Sequence, residues 1–128
     1  MRFLLDTQLL LWSGTYPELL SSEAAALLHD AANELIFSTA SVWEVAIKFS
    51  RGRADFQVEP GLFRHELFGA DFRELPVVGE HAIAVAGLPL LHKDPFDRIL
   101  IAQAMVEGIT LLTSDAVVAR YPGPIRLI

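Results

Sequence analysis

Short apolar runs alternate along the chain with longer stretches in which apolar residues recur at helical spacing. This alternation predicts an α/β layer fold. Five of the short runs are predicted to be strands, at residues 2–5, 34–37, 72–75, 110–113 and 126–128. The first, second and fourth carry apolar residues on both faces, as buried parallel strands do. We therefore expect a mainly parallel five-stranded sheet that is covered on both sides.

Helix start and stop signals lie between these runs. Four helices are predicted, from residue 21 or 22 to 28 and over 60–68, 79–86 and 96–107. The last is the best defined, because it follows Pro95 and stops before Gly108, a residue type that commonly follows a helix C-terminus.

Composition narrows the classes of protein that are possible. Of 128 residues 52% are apolar, none is Cys, and the formal net charge is −6. The length suits one domain over residues 1–128, and the lack of Cys excludes disulfide and thiol chemistry. Because Asp6 interrupts a possible signal core and no apolar run approaches roughly 20 residues, we expect a cytoplasmic protein. The negative net charge disfavours a protein that coats nucleic acid non-specifically, but it does not exclude a local functional site.

Acidic residues follow the predicted strands. Asp6 comes directly after the first strand, and Asp115 lies two residues past the fourth. Ligands of open parallel sheets bind at the carboxyl ends of the strands, so these positions are predicted to converge. Glu44, on a helix after the second strand, and Asp97, in the first turn of the helix over 96–107, can join them.

Carboxylates that lie close together repel one another, which raises their pKa values and lowers the stability of the fold. A hard divalent cation, Mg²⁺ or Mn²⁺, resolves this through oxygen ligands and can activate a water for attack on a phosphodiester. Short hydroxyl side chains beside the acids suit the orientation of carboxylates or water, and suit helix caps equally well; they are Ser38, Ser41, Thr113 and Ser114.

The same acids also have structural interpretations. Asp6, Asp97 and Asp115 lie at junctions where Asp commonly caps a helix or occupies its first turn. The spacing from Ser41 to Glu44 fits a capping box. The coincidence of all four acids at one sheet edge favours a metal site, since independent caps would rarely fall together there.

Other features carry weaker signals. Lys48 and Arg51 share a predicted helical face with Glu44, where they either lead phosphates toward the acids or form surface ion pairs. No metal-ligand spacing relates the four histidines, which are predicted at the surface or at partner contacts, with His92 as the candidate for a substrate contact: His29, His65, His81 and His92. Three aromatic residues are predicted in the core or at an interface: Trp12, Trp43 and Phe49. P-loop, nucleophile-elbow and dinucleotide-turn motifs do not occur.

Four segments follow one another in the order FLLDT at 3–7, STASVWEVAIK at 38–48, HKDPFDRILIAQA at 92–104 and LTSD at 112–115. Together they resemble a PIN domain of the VapC toxin type over nearly the whole chain. The resemblance implies a three-layer PIN-like fold, Mg²⁺- or Mn²⁺-dependent endoribonuclease activity, and a cognate antitoxin that inhibits it. Carried over position by position, the acidic metal site consists of Asp6, Glu44, Asp97 and Asp115.

In the implied mechanism, Asp6 and Asp97 are the principal metal ligands, and Glu44 and Asp115 bind the metal directly or through water. One carboxylate helps to deprotonate the attacking water. It stays open whether Asp94 is also a ligand.

The Asp-Pro-Phe-Asp-Arg motif at 94–98 separates its two aspartates. Pro95 disfavours a helical conformation at Asp94, which is therefore predicted at the N-cap, whereas Asp97 is held by the first helical turn. Asp97 is the better preorganised ligand. For Arg98, contact with RNA and a structural role in its own helix both stay open.

Two rival classes are weighed against the nuclease. A non-catalytic PIN-like module could bind nucleic acid or protein in the same pocket. An aspartyl phosphotransferase or receiver-like domain is disfavoured, because Gln8 stands where a phosphatase needs a second Asp.

Self-association is expected as well. The mean hydropathy is +0.39, and the four apolar residues of 9–12 are more than one helical face buries. These features predict a homodimer and a groove for an antitoxin segment.

Overall fold

Five strands form one all-parallel sheet in a computed structural model that describes residues 1–128. They are β1 (Arg2–Leu5), β2 (Glu34–Ser38), β3 (Arg73–Leu75), β4 (Thr110–Thr113) and β5 (Ile125–Leu127). Their order across the sheet is β3-β2-β1-β4-β5. The predicted α/β class and the central five-stranded parallel sheet are confirmed.

Six helices connect the strands. They are α1 (Thr7–Thr15), α2 (Ser22–His29), α3 (Thr39–Ser50), α4 (Pro60–Gly69), α5 (Gly79–Ala84) and α6 (Pro95–Glu107). Short 3₁₀ turns lie at Pro17–Leu19, Val85–Gly87 and Val118–Arg120. Helix α6 ends as predicted at Gly108, whose φ of 66° is the left-handed conformation that glycine adopts without strain.

The element boundaries differ from the predicted ones by a few residues. Strand β5 begins one residue earlier, at Ile125, whose N–H donates to the carbonyl of Gly123. The last turn predicted for α5 tightens into the 3₁₀ turn Val85–Gly87. Such differences arise because helix and strand ends are set by local caps and turns rather than by the apolar pattern.

Alternate residues of the central strands enter opposite faces of the sheet. Phe3 and Leu5 belong to a core that also contains Val45 of α3 and Phe63 of α4. Between them, Leu4 enters a second core, which contains four buried residues of α6: Leu100, Ile101, Ala102 and Ala104. The molecule therefore has three layers, with the sheet in the middle.

Helix α1 was absent from the predicted elements. Its apolar residues are consecutive and show no helical period, yet Leu9, Leu10 and Leu11 are all buried against the first core. The run exceeds one helical face, as predicted, but other elements of the same chain cover its leucines, so these residues leave no exposed apolar surface for self-association. Only Trp12 at its end is partly exposed.

One expectation about side-chain burial is corrected. His81 is fully buried rather than on the surface, because Nδ1 accepts the N–H of Val78 and Nε2 lies 2.8 Å from Oε2 of Glu107. Of the three aromatic residues predicted in the core or at an interface, Trp12 packs against the first core, whereas Trp43, which is 63% exposed, and Phe49 lie outside the core, which leaves the interface for them. None of the helices is both long enough and apolar enough to cross a bilayer.

Candidate functional site

A polar cleft of about 380 Å³ opens at the carboxyl edge of the sheet. Parallel pairing brings the ends of β1, β2 and β4 to this edge. The residues that line the cleft include all four predicted acids and Asp94: Asp6, Thr7, Gln8, Leu11, Glu44, Lys48, Asp94, Asp97, Ser114 and Asp115.

Asp6 is the most firmly held of the acids. It caps α1, because Oδ1 accepts the N–H of Leu9 at 2.9 Å. Its other oxygen, Oδ2, accepts the Thr113 hydroxyl at 2.6 Å and the Ser114 N–H at 3.4 Å. Burial raises the pKa of the Asp6 carboxyl, and these three hydrogen bonds offset part of that shift. Capping and membership of the acidic cleft therefore coexist in one residue.

Glu44 reaches the cleft from the second turn of α3. The cap of this helix is Ser38, whose hydroxyl accepts the Ala40 N–H, so the capping-box interpretation of Glu44 is wrong. Oε2 of Glu44 lies 3.0 Å from Nζ of Lys48. Oε1 is buried and has no hydrogen-bond partner. A buried carboxylate oxygen without a donor is the kind of atom that a cation satisfies.

Asp97 lies in the first turn of α6, as predicted. Burial and then the negative charge of Asp94 raise its pKa to about 7. His92 acts in the opposite direction, and the charges of Asp6 and Glu44 add to the increase. Without a bound cation, Asp97 is therefore half protonated near neutral pH.

Asp115 lies in the turn after β4. Its Oδ1 accepts the Val117 N–H at 2.8 Å, and its own N–H donates to the Thr113 hydroxyl at 3.0 Å. Nε2 of His92 lies 3.4 Å from Oδ2 of Asp115 and 3.0 Å from Oδ2 of Asp97. Donor atoms of these three residues all lie within 4.8 Å of one another, a separation that suits a metal site.

Asp94 is the N-cap of α6, where its Oδ1 accepts the Phe96 N–H at 2.9 Å. The predicted cap is thus present. Asp94 also lines the cleft, so its negative charge acts on Asp97.

Arg98 lies beside Asp97 in the motif but does not line the acidic cleft. Its guanidinium donates to the carbonyls of Pro89, Val85 and Leu88 and to the Tyr121 hydroxyl. These bonds order the loop before α6. These contacts support a structural role for Arg98 rather than contact with RNA.

The sequence did not predict that the Tyr121 hydroxyl contacts the backbone of His92, and it predicted His92 at the surface or at a partner contact, with a substrate contact as the alternative. The place of His92 two residues before Asp94 was an available signal. Tyr121 gave none, because nothing in its local sequence indicates contact with the loop before α6.

The donor set fits a divalent cation. Five carboxylates, those of the four predicted acids and of Asp94, line the cleft with only Lys48 as a Lys or Arg among the lining residues, and Glu44 Oε1 lacks a donor. Oxygen-rich sites of this kind suit Mg²⁺ and Mn²⁺.

Two further surfaces adjoin the cleft. Lys48 also lines a hollow of about 220 Å³ that contains Arg51 and Arg53. An apolar groove of about 650 Å³ runs between α3, α5 and α6, and in it the rings of Trp43 and Phe96 meet edge to face at 5.1 Å.

Asp97 makes the stability of the metal-free protein depend on pH. The folded-state pKa of about 7 lies above the ordinary value of 3.8, so the proton stabilises the fold at low pH and this contribution is lost as the pH rises toward 7. In a chelator, Asp97→Asn should therefore unfold at a higher temperature than the wild type at about pH 8. Partial solvent screening limits the gain to roughly 1–2 kcal/mol, or about 3–8 °C.

Differential scanning calorimetry at about pH 5 and pH 8 measures this effect. We expect a smaller difference at pH 5, because the contribution of the proton falls only between 3.8 and about 7 and most of this fall lies above pH 5. A lower unfolding temperature for Asp97→Asn at pH 8 would contradict the assigned cause of the shift.

The chain matches the family model described as PIN domain over residues 3–124. No curated protein sequence matches it.

Three solved structures resemble the fold at low sequence identity. VapBC2 from Rickettsia felis bound to a DNA fragment from its promoter has a TM-score of 0.72 at 16% identity, covering 99% of this chain and 98% of that one. DNA-bound VapBC from Salmonella typhimurium has a TM-score of 0.69 at 15% identity, with coverages of 98% and 97%. A toxin–antitoxin complex from Klebsiella pneumoniae has a TM-score of 0.64 at 18% identity, with coverages of 96% and 94%.

Proposed function

Since the chain belongs to the PIN domain family, we propose that it is a toxin of the VapC type: a cytoplasmic, Mg²⁺- or Mn²⁺-dependent endoribonuclease that a cognate antitoxin inhibits. The resemblance of the fold to VapBC complexes and to a toxin–antitoxin complex supports this proposal. The observation that carries it is the convergence of four acids on one cleft, with an unpartnered buried oxygen on Glu44.

The metal would be held by Asp6, Glu44, Asp97 and Asp115. Asp6 and Asp97 are the principal ligands, and the other two bind directly or through water. When bound, the ion neutralises the carboxylates, activates water and stabilises charge on the phosphodiester oxygens. One carboxylate oxygen of the cluster accepts a proton from the attacking water, and no side-chain nucleophile takes part.

RNA would approach over the end of α3. Lys48 lines both the acidic cleft and the hollow with Arg51 and Arg53. Lys48 pairs with Glu44, the alternative role that its sequence position offered, and Arg53 pairs with Asp55. We propose that these two cations and Arg51 nevertheless form a path on which phosphates gain favourable electrostatic contacts before they reach the acids. Their position supports a polyanionic substrate despite the net charge of −6.

The purified protein should cleave RNA with Mg²⁺ or Mn²⁺ and stop when a chelator is added. Single-stranded and structured RNAs are incubated with each ion, and products are separated on denaturing gels. Restoration of cleavage by excess Mg²⁺ controls for damage by the chelator. Cleavage that resists chelation would contradict a metal-dependent nuclease, and RNA binding without cleavage would favour a non-catalytic binding module.

We also propose that the chain forms a homodimer through the apolar groove and binds an antitoxin within a larger assembly. Support for the dimer comes from the exposure of Trp43 in a groove whose walls include Val77, Val85 and Ile99. An indole that is 63% exposed beside other apolar side chains is more favourable when a partner covers it.

Trp43→Arg should convert the dimer to a monomer, because the cation would be buried without a partner at the interface. Light scattering after size-exclusion chromatography measures the molar mass. Leu62→Arg is the matched control, since Leu62 is an exposed apolar residue of α4 that does not line the groove. A wild-type monomer at high concentration, or a dimer in the Trp43 variant, would contradict the proposed interface.

A further inference from the structure

The hydroxyl of a buried tyrosine, Tyr121, holds the backbone of His92 through two hydrogen bonds. Tyr121 is only 4% exposed, and its hydroxyl accepts the N–H of His92 at 2.7 Å and donates to the carbonyl of the same residue at 3.2 Å. Arg98 donates to this hydroxyl at 3.1 Å and to the Pro89 carbonyl at 2.8 Å. Both polar groups of the His92 backbone are therefore fixed by one side chain.

The ring of His92 is oriented by a further hydrogen bond. The N–H of Asp94 donates to Nδ1 at 3.2 Å, so Nδ1 presents its lone pair there and carries no proton. In the neutral imidazole the proton is then on Nε2. Nε2 lies 3.0 Å from Asp97 and 3.4 Å from Asp115. The N–H edge of the ring consequently faces two acids of the cleft.

This tautomer excludes His92 from the metal ligands. An imidazole binds a metal through a nitrogen lone pair. The lone pair of Nδ1 accepts the Asp94 N–H, and Nε2 carries the proton. Although the three residues have the separation of a metal triad, the ring contributes a donor to the carboxylates instead.

We propose that His92 is a positioning residue, fixed by Tyr121 and Arg98, whose Nε2–H holds Asp97 and Asp115 in place for the metal without binding it. The inference rests on the proposed function only in that these carboxylates bind a divalent cation. Arg98 and Tyr121 thereby support the metal centre through their hydrogen bonds, although neither residue lines the cleft.

Removal of the Tyr121 hydroxyl tests the connection. Tyr121→Phe keeps the ring in the core and should weaken Mn²⁺ binding about 10-fold, the lower end of what loss of an outer-shell partner costs a metal site. Titration calorimetry with Mn²⁺ alone measures this. Tyr16→Phe is the matched control, because Tyr16 is exposed and does not line the cleft, and it should bind like the wild type. Unchanged affinity in folded Tyr121→Phe would overturn the proposal.

The wild-type protein supplies a second test that does not depend on the variant folding. Nitrogen NMR at about pH 8 on protein labelled at histidine should show the neutral His92 ring with a proton on Nε2 and none on Nδ1, both in chelator and at saturating Mg²⁺. A proton on Nδ1, protons on both nitrogens, or loss of the Nε2 proton when Mg²⁺ binds would overturn the assignment.

Substitution of His92 itself separates positioning from general packing. His92→Gln offers an amide N–H near the place of Nε2–H and should retain Mn²⁺ affinity within about threefold, whereas His92→Ala should lose about 10-fold or more. Equal loss in both variants would contradict positioning by the N–H. These measurements need no RNA, so a protein that binds Mn²⁺ as described but leaves RNA intact would refute the proposed nuclease and not this inference.

Discussion

Asp97→Asn is expected to abolish metal-dependent RNA cleavage while the protein stays folded. Asp97 lies in the first turn of α6, where the charges of three other acids of the cleft and of His92 act on its pKa. An amide cannot replace the negative charge that a divalent cation requires from this position. The loss of kcat should exceed the roughly 10–100-fold that removal of an outer-shell partner costs.

Asp94→Asn is the matched control within the same motif. Asn caps a helix as well as Asp does, so its carbonyl oxygen can still accept the Phe96 N–H at the start of α6. This variant should retain its fold and appreciable cleavage. Turnover assays and Mn²⁺ titrations on both variants provide the comparison. Equal loss of metal affinity would show that Asp94 is a ligand too, and the reverse ranking would overturn the assignment of Asp97.

Asp6→Asn is expected to lower cleavage by more than about 100-fold, again without unfolding the protein. Asp6 is the acid that the backbone fixes most firmly, through the N–H groups of Leu9 and Ser114. The amide oxygen of Asn can keep the helix cap with Leu9. The amide NH₂ cannot accept the bonds that Thr113 and Ser114 donate to Oδ2, but the variant no longer buries a charge, so the metal-free variant should stay folded.

A suitable control for Asp6 is Asp71→Asn. Asp71 has a φ of 65°, a left-handed conformation that Asn tolerates, and it precedes β3, away from the carboxyl edge of the sheet. RNA cleavage by this control should match the wild type, and circular dichroism monitors the fold of both variants. Full activity in folded Asp6→Asn would exclude Asp6 from the metal centre.

The topology could be predicted because it depends on patterns that survive in a single sequence. The predicted bounds of β1 and β4 agree with the structure, since a buried parallel strand between helices leaves a short apolar run. The place of Asp6 and Asp115 beyond these strands then follows from the rule that parallel strands end at one edge.

The elements that escaped prediction depend on tertiary contacts. Helix α1 has no amphipathic period, because α4, β4 and the 3₁₀ turn Pro17–Leu19 pack against it and three consecutive leucines are buried in the first core. His81 has no local signal of burial either. Its ring is satisfied by Glu107, which lies 26 residues away in the sequence.

The acids of the candidate site could be predicted from the sequence, but the side chains that hold these acids in place could not. Strand ends and the motif at 94–98 locate the carboxylates, but the contact between Tyr121 and His92 joins residues 29 positions apart through one hydroxyl. Likewise, the capping-box spacing at Glu44 was misleading because Ser38, one turn before Ser41, caps α3. Side-chain partners of this kind become visible only once the backbone path is known.

Anomalous diffraction from a crystal soaked in Mn²⁺ tests the central claim most directly, since it locates the ion without reference to activity. The account predicts a Mn²⁺ peak in the acidic cleft, in direct contact with carboxylate oxygens of Asp6 and Asp97. It predicts no peak there in a crystal of Asp97→Asn soaked in the same way. A wild-type cleft that stays empty at saturating Mn²⁺ and is open to solvent, or an ion bound only elsewhere on the protein, would contradict a metal-dependent nuclease site at this edge of the sheet.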